Sequence, residues 1–311
     1  MKKSIYTMIA LGLVLIFQSC DPEKTELAYQ LEPGKQYFID AMITQNLQQE
    51  LMQGNMDMST DITAKAVYDV VSKNDDVYEM NVSYTGFDMD LQTPQGEMHF
   101  GTSVRDTNDM FSALLRSMTE NEFLMKMTEK GEILSVDGIE KMFEKMMEGM
   151  PGMSEMEMDQ LKKSLKNIAG EESFKGNFGM GMPFYPEKAV RAGDTWSNEI
   201  SLKSVSIGTV SNTWELVEVK GDQLIIHGEG QFVSNSDSTT MAETGIPMTF
   251  DMTGPVTYDL EIDKNTGWVT SGNISQQITG TVSMQGNPQM PQGMEMKMTV
   301  NTDMKIEGGQ R

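Results

Sequence analysis

A mainly β (α+β) fold follows from three observations on the 311-residue chain. Apolar residues recur at every second position over most of its length, the period of a strand with one buried face. Helical patterns are few and confined to the first half. Strand and turn signals also recur in the same order on either side of a Gly-rich middle stretch. Together they predict two related curved antiparallel sheets, half-barrel-like, with a helical insertion in the first.

The chain opens with Lys2 and Lys3, an apolar run from Met8 to Phe17, and the close Gln18-Ser19-Cys20. A basic start, a short apolar run and a small residue before the cut describe a secretory signal. The run is shorter than the ~20 apolar residues of a membrane span. A small residue directly before a lone Cys at that point resembles a bacterial lipobox. The resemblance implies removal of 1–19, lipid on the sulfur of Cys20, and acylation of the new amino group. Cys20 is the only cysteine, so the exported domain is held by its core and not by disulfides. Residues 20–32 are expected to be a lipidated tether.

Residues 33–169 are expected to form the first β-rich domain. From Met56 every second residue through Val70 is apolar or small, including Met58, Ile62, Ala64, Ala66 and Tyr68. Three helices follow: about Asn108 to Met118; one from near Asp137, carrying Ile139, Met142, Phe143, Met146, Met147 and Met150 at helical spacing; and one from Ser154, with Glu157 placed to complete a capping box. Pro151-Gly152 separates the last two. The Gly-rich stretch 170–186, ending in Pro183-Phe184-Tyr185-Pro186, reads as a linker. Residues 187–311 are expected to form the second β-rich domain, with alternation in Ile246 to Met252, Val256 to Ile262 and Met294 to Ile306. Its long alternating runs exceed the usual five or six residues of a strand, as curved sheets allow.

The two halves share landmarks. Pro33-Gly34-Lys35-Gln36-Tyr37 corresponds to Ala192-Gly193-Asp194-Thr195-Trp196, Tyr68-Asp69-Val70 to Trp214-Glu215-Leu216, and Glu129-Lys130-Gly131 to Asp263-Lys264-Asn265. This order predicts a duplication.

Composition narrows function. Removing Lys2 and Lys3 leaves 22 basic and 46 acidic residues, a mature charge near −24. Such a surface repels phosphate backbones, so nucleic acid is not an expected partner. His99 and His227 are the whole imidazole supply, and no His or Cys spacing for zinc is present. Both alternate with apolar residues on strands, as solvent-facing residues do, so no enzyme activity and no cofactor are expected. The 31 methionines leave alternatives open. Thioethers at Met294, Met296 and Met298 could hold Cu(I), although no metal site is expected. Met142, Phe143, Met146 and Met147 could line an apolar ligand site, because Met repacks around varied shapes. A Met-rich surface could instead dock a partner, or the methionines could be plain core.

The lipobox, the Gly-x-x-aromatic openings and the segment Pro186-Glu187-Lys188-Ala189-Val190-x-x-Gly193-Asp194-Thr195-Trp196 resemble a family of Bacteroidota lipoproteins of uncharacterised function. The family supplies no catalytic residues to carry over. More distantly, the pattern resembles the lipoprotein-carrier and lipid-carrier half-barrels of bacterial envelopes. The resemblance implies an outer-membrane protein held by lipid at Cys20, periplasmic-facing or surface-exposed. Asp21-Pro22-Glu23-Lys24 is an interrupted acidic run of the export type, and Asp237-Ser238-Thr239 resembles an O-glycosylation motif of that phylum. Three roles stay open: non-enzymatic binding of an apolar small molecule or lipid, docking of another envelope protein without a small ligand, and a carboxylate hydrolase for which no acid pair argues.

Overall fold

The computed structural model describes residues 24–51, 54–105, 109–148, 154–203, 207–235, 239–240, 247–284 and 293–311. The strands are β1 (Gln36–Leu51), β2 (Gly54–Asn74), β3 (Val77–Thr93), β4 (Gly96–Gly101), β5 (Glu122–Thr128), β6 (Ile133–Asp137), β7 (Thr195–Lys203), β8 (Ile207–Lys220), β9 (Gln223–Ser234), β10 (Thr239–Thr240), β11 (Pro247–Asp263), β12 (Val269–Met284) and β13 (Met294–Gln310). The helices are α1 (Met110–Met118), α2 (Ile139–Glu148), α3 (Glu155–Ala169) and α4 (Glu171–Gly181).

The mainly β class with inserted helices is what the structure has. Its strands are joined in a single antiparallel sheet of 13, ordered β6-β5-β3-β2-β1-β13-β12-β11-β9-β8-β7, with β4 on β3 and β10 on β11. The two sheets expected from the sequence are thus one. Their free edges, β1 and β13, pair over 14 residue positions from Tyr37↔Gln310 to Glu50↔Lys297. That pairing satisfies two rows of backbone donors and acceptors that separate sheets would leave exposed. The strands are as long as the alternation requires, up to 21 residues in β2.

The duplication is visible in the hydrogen bonds. Gly34 donates to Val70 O and Gly193 to Leu216 O, at 2.7 and 2.8 Å. Tyr37 pairs with Tyr68 across β1–β2, and Trp196 with Trp214 across β7–β8. The partner strand is bulged just beyond each pair, between Val70 and Ser72 and between Leu216 and Glu218. Glu129 N donates to Asp76 O, and Lys264 N to Asp222 O. Each half therefore repeats one scheme, and β13 is the additional strand that joins them.

The stretch 170–186 differs from the expected linker. Residues 171–181 are helix α4, with Phe174 and Phe178 buried. Three glycines lower its helix propensity, but they let the backbone approach β7. A Cβ on Gly176 would stand 3.1 Å from Ser201 O and from Leu202 Cδ2. The helix packs on both edge strands, β6 and β7. Glu171 accepts from Val136 N on one side, and Lys203 Nζ reaches Glu172 at 2.7 Å on the other. The sheet therefore curls until its edges stand about one helix diameter apart, ~10 Å.

The expected tether also differs. Over 24–32 the chain is stitched across one end of the curled sheet. Thr25 and Val190 exchange backbone bonds at 2.6 and 2.9 Å, Tyr29 N donates to Glu129 O and Gln30 N to Thr266 O. Leu27, Tyr29 and Leu31 are buried. This end is closed by aromatic rings: Trp268 lies 5.2 Å from Tyr37, 5.2 Å from Tyr68 and 6.1 Å from Tyr29, and Tyr29 lies 5.0 Å from Tyr185. Gly267, at φ +67°, lies where a Cβ would meet Ala28 O at 2.2 Å, so only glycine fits that turn.

Because α4 and the Pro183–Pro186 segment are packed against the sheet, limited trypsin digestion should spare Lys175 and Lys188. Rapid cleavage at either, leaving a stable fragment beginning near residue 187, would show instead that the halves are separable.

Candidate functional site

The sequence places apolar side chains on alternate positions of every long strand, and register decides which of them meet. Inside the curled sheet the closed end is filled by the aromatic rings, by α4 and by Tyr258. Desolvation by burial raises the phenol pKa values of Tyr29, Tyr68, Tyr185 and Tyr258, and pushes that of Tyr84 up to about 12. These groups stay neutral donors at any physiological pH. Tyr185 donates to Gly267 O at 2.7 Å, Tyr78 to Tyr29 O at 2.9 Å, and Trp268 Nε1 to Phe38 O at 3.0 Å.

Toward the other end, the strands run beyond the helices and their inner face changes character. Met248, Met284 and Met294 stand side by side on β11, β12 and β13. The next inward row is Phe250, Val282 and Met296. Further down, Ile278, Val300, Leu47 and Met58 align across β12, β13, β1 and β2. Adjacent strands are ~4.8 Å apart, so these rows make a panel that is apolar but for Gln49, which stands beside Met298 and Met56 in the row between them. Met252, Met296, Ile278 and Val282 are buried, while Met58, Met284, Met294, Met298 and Val300 are half-buried. The strongest helix packing falls on β3, β4, β5, β6 and β7, away from this panel. Alternation is readable in each strand but this convergence is not, because the β1–β13 register joins strands about 250 residues apart and is written in neither.

Met142 and Phe143 belong to the buried core cluster, and Met147 is buried as well. Their helix α2 packs against α1, α3 and β5 in the first half of the sheet, whereas the panel lies on β1, β2, β11, β12 and β13. Met146 keeps its place on α2, but its side chain, like Gly149 to Pro151 beyond the helix, lies outside the described residues. So do Cys20, the signal segment and Ser238. The Ser154–Glu157 capping box forms as expected, and Asp109 caps α1.

Met294, Met296 and Met298 face inward on one strand, as expected. Met296 Sδ accepts from Gln49 Nε2 at 2.8 Å. Among the described residues no group of three His, Cys, Asp or Glu side chains could hold a metal ion.

Both histidines lie on the outer face. His227 Nδ1 is 2.8 Å from Asp259. His99 belongs to an arrangement that sequence reasoning missed: its Nδ1 is 2.7 Å from Asp90 and its Nε2 is 3.4 Å from Ser103 Oγ. The constellation has the order of a hydrolytic triad. Ser103 Oγ, however, stands 2.5 Å from Asp88 Oδ1. The shorter bond to a carboxylate takes the hydroxyl proton, so His99 does not activate the oxygen. His99 and Asp90 are also well exposed, at 47% and 60%, and water competes at each contact. Two hollows among the described residues, of about 650 and 420 Å³, are open and lined mainly by polar residues such as Asn46, Asn55 and Asp57 or Asn198 and Asn212.

The chain belongs to a family of unknown function, DUF6263, whose pattern it matches over residues 75–269, from β3 through β11 with α1 to α4 between them. No curated protein matches it. Among solved structures it is similar to an outer-membrane channel from Pseudomonas putida F1, at 5% identity over 90% of this chain and 97% of that one, with a TM-score of 0.24. It is also similar to OmpF of Salmonella typhi in complex with daunomycin, at 6% identity over 89% and 98%, TM-score 0.20. A third is a DUF1329 family protein from Desulfovibrio piger, at 9% identity over 89% and 84%, TM-score 0.11. Scores this low reflect shared abundance of antiparallel strand and carry no functional argument.

As core residues at 3% and 5% exposure, Met142 and Met147 should each cost about 2–5 kcal/mol on replacement by Ala, read from urea unfolding. A loss below about 1 kcal/mol would mean that they border a space and do not fill one.

Proposed function

We propose that this member of the DUF6263 family is a non-enzymatic bacterial envelope lipoprotein, held by lipid on Cys20, which binds an apolar ligand or lipid on its methionine-rich inner panel. The single observation that carries the reading is the change of the inner face from a packed aromatic floor to half-buried Met, Val and Ile rows. A sheet that is curled, dry at one end and incompletely covered at the other has the form of a container. Unbranched thioethers adapt to ligands of varied shape, and burying each CH₂ of an acyl chain contributes about 0.8 kcal/mol. The basic start, the apolar run and the lone Cys20 support export and anchoring.

Lipid extracted from the detergent-purified protein should contain a stoichiometric acyl species. A fluorescent fatty acid should bind, and Met298→Glu should weaken it at least tenfold, about 1.4 kcal/mol, with little change in melting temperature. Absence of both bound lipid and fatty-acid binding would sink the reading.

One observation favours a second reading: the panel is open and not enclosed. A partner protein of the envelope would then cover it, as exposed apolar patches are commonly covered. Purification without any lipid, but with a discrete partner lost in Met298→Glu, would favour this over the ligand.

The anchor has its own check. Cys20→Ala should abolish incorporation of radiolabelled fatty acid and leave the precursor unprocessed; persistent labelling would refute the assignment.

A further inference from the structure

The stitched segment 24–32 has a consequence for how an anchored molecule stands. Only residues 21–23 separate Cys20 from Lys24, a reach of at most about 14 Å. From Thr25 onward the chain is tied down at Val190, Glu129 and Thr266. Those three sites are close to Pro186 and to the β5–β6 and β11–β12 turns, all at the aromatic end. Lipid on Cys20 would therefore hold that end near the bilayer. The Met rows lie at the opposite end of β1, a strand of 16 residues, or roughly 25–40 Å away after allowing for tilt.

Charge acts in the same direction. The segments at the aromatic end (24–36, 73–77, 129–132, 187–194, 220–222, 263–267 and 310–311) hold nine Lys or Arg against ten carboxylates. The described segments around the panel (44–62, 88–101, 247–253 and 293–303) hold one cation, Lys297, against nine carboxylates. An anionic lipid surface repels the second end far more than the first, within a Debye length of ~8–10 Å.

We propose that the protein docks its aromatic closed end on the bilayer that anchors it and presents the methionine panel away from that bilayer. Its apolar ligand then comes from the aqueous side or from a carrier or surface facing it, and not from its own membrane. This rests on the anchor assigned above. The juxtaposition of a short acylated leader with a stitched closed end carries it.

The test uses the acylated full chain in vesicles of phosphatidylethanolamine and phosphatidylglycerol carrying a headgroup-linked acceptor dye. With Cys20 acylated, Asn265→Cys at the closed end or Gln95→Cys on the β3–β4 turn supplies the only reactive thiol for a donor dye; both positions are exposed. Energy transfer should be severalfold larger from position 265 than from position 95. Inserting a long Gly/Ser segment after residue 23 should erase most of that difference. Equal transfer from an acylated protein would overturn the orientation and leave the anchor standing. Absence of acyl mass on the purified protein would overturn the anchor, and the orientation with it.

Discussion

The indole of Trp268 is the contact on which the rest of the structure depends. It sits between Tyr29 of the N-terminal segment, Tyr37 of β1 and Tyr68 of β2, and its N–H is bound by Phe38 O. Four chain segments are thus brought to one ring, the farthest being Tyr29, 239 positions (268 − 29) from Trp268. Aromatic pairs add about 0.5–1.5 kcal/mol each beyond the area they bury. The stacking also decides geometry: it draws the second half, which supplies Trp268, onto the first, which supplies Tyr37 and Tyr68. The β1–β13 ladder joins the halves in one sheet and α4 holds its two edges; the ring fixes the closed end between them. Tyr68 passes the constraint to Phe178 of α4, at 5.9 Å, so the helix that bridges the sheet edges is fixed from the same point.

Residue types divide the interior by task. Tyr and Trp at the closed end combine large rigid surfaces with a single donor each, and Tyr29, Tyr78, Tyr185 and Trp268 each donate to a backbone oxygen. That is a recipe for a fixed geometry. Methionine at the other end has three rotatable bonds and no strong polar group, so many packings there have similar energies. Rigidity and adaptability are thus separated along the strands by composition alone, with no change of secondary structure between them.

Much of this was legible from local pattern. Alternation marked β2, β11 and β13 and named their inward residues; Ser154 and Glu157 marked the start of α3; the paired openings at Gly34 and Gly193 marked the repeat. What was hidden was set by tertiary contact. Helix α4 has glycines at 176, 179 and 181, which read locally as flexibility and serve in fact as close approach to β7. Leu27, Tyr29 and Leu31 alternate like a short strand, but their partners are turns more than 90 residues away. The methionine panel needed the β1–β13 register, and the exposed Asp90–His99–Ser103 arrangement needed the β3–β4 hairpin; neither spacing appears in the linear chain.

The strand order also carries an arithmetic. Along the path from β6 to β7 there are 11 strands, each antiparallel to its neighbours. An odd number means that the two edges run in the same direction. Rolling this sheet shut by continuing its own pairing scheme is therefore impossible, because the last pair would have to be parallel. Parallel neighbours call for a crossover connection of a dozen or more residues, usually helical, and the chain between β6 and β7 is that crossover, α2 to α4. The seam is a matter of parity. No substitution within the strands can remove it, and any widening of the interior must occur where a helix, held by side chains, stands in place of a row of backbone hydrogen bonds.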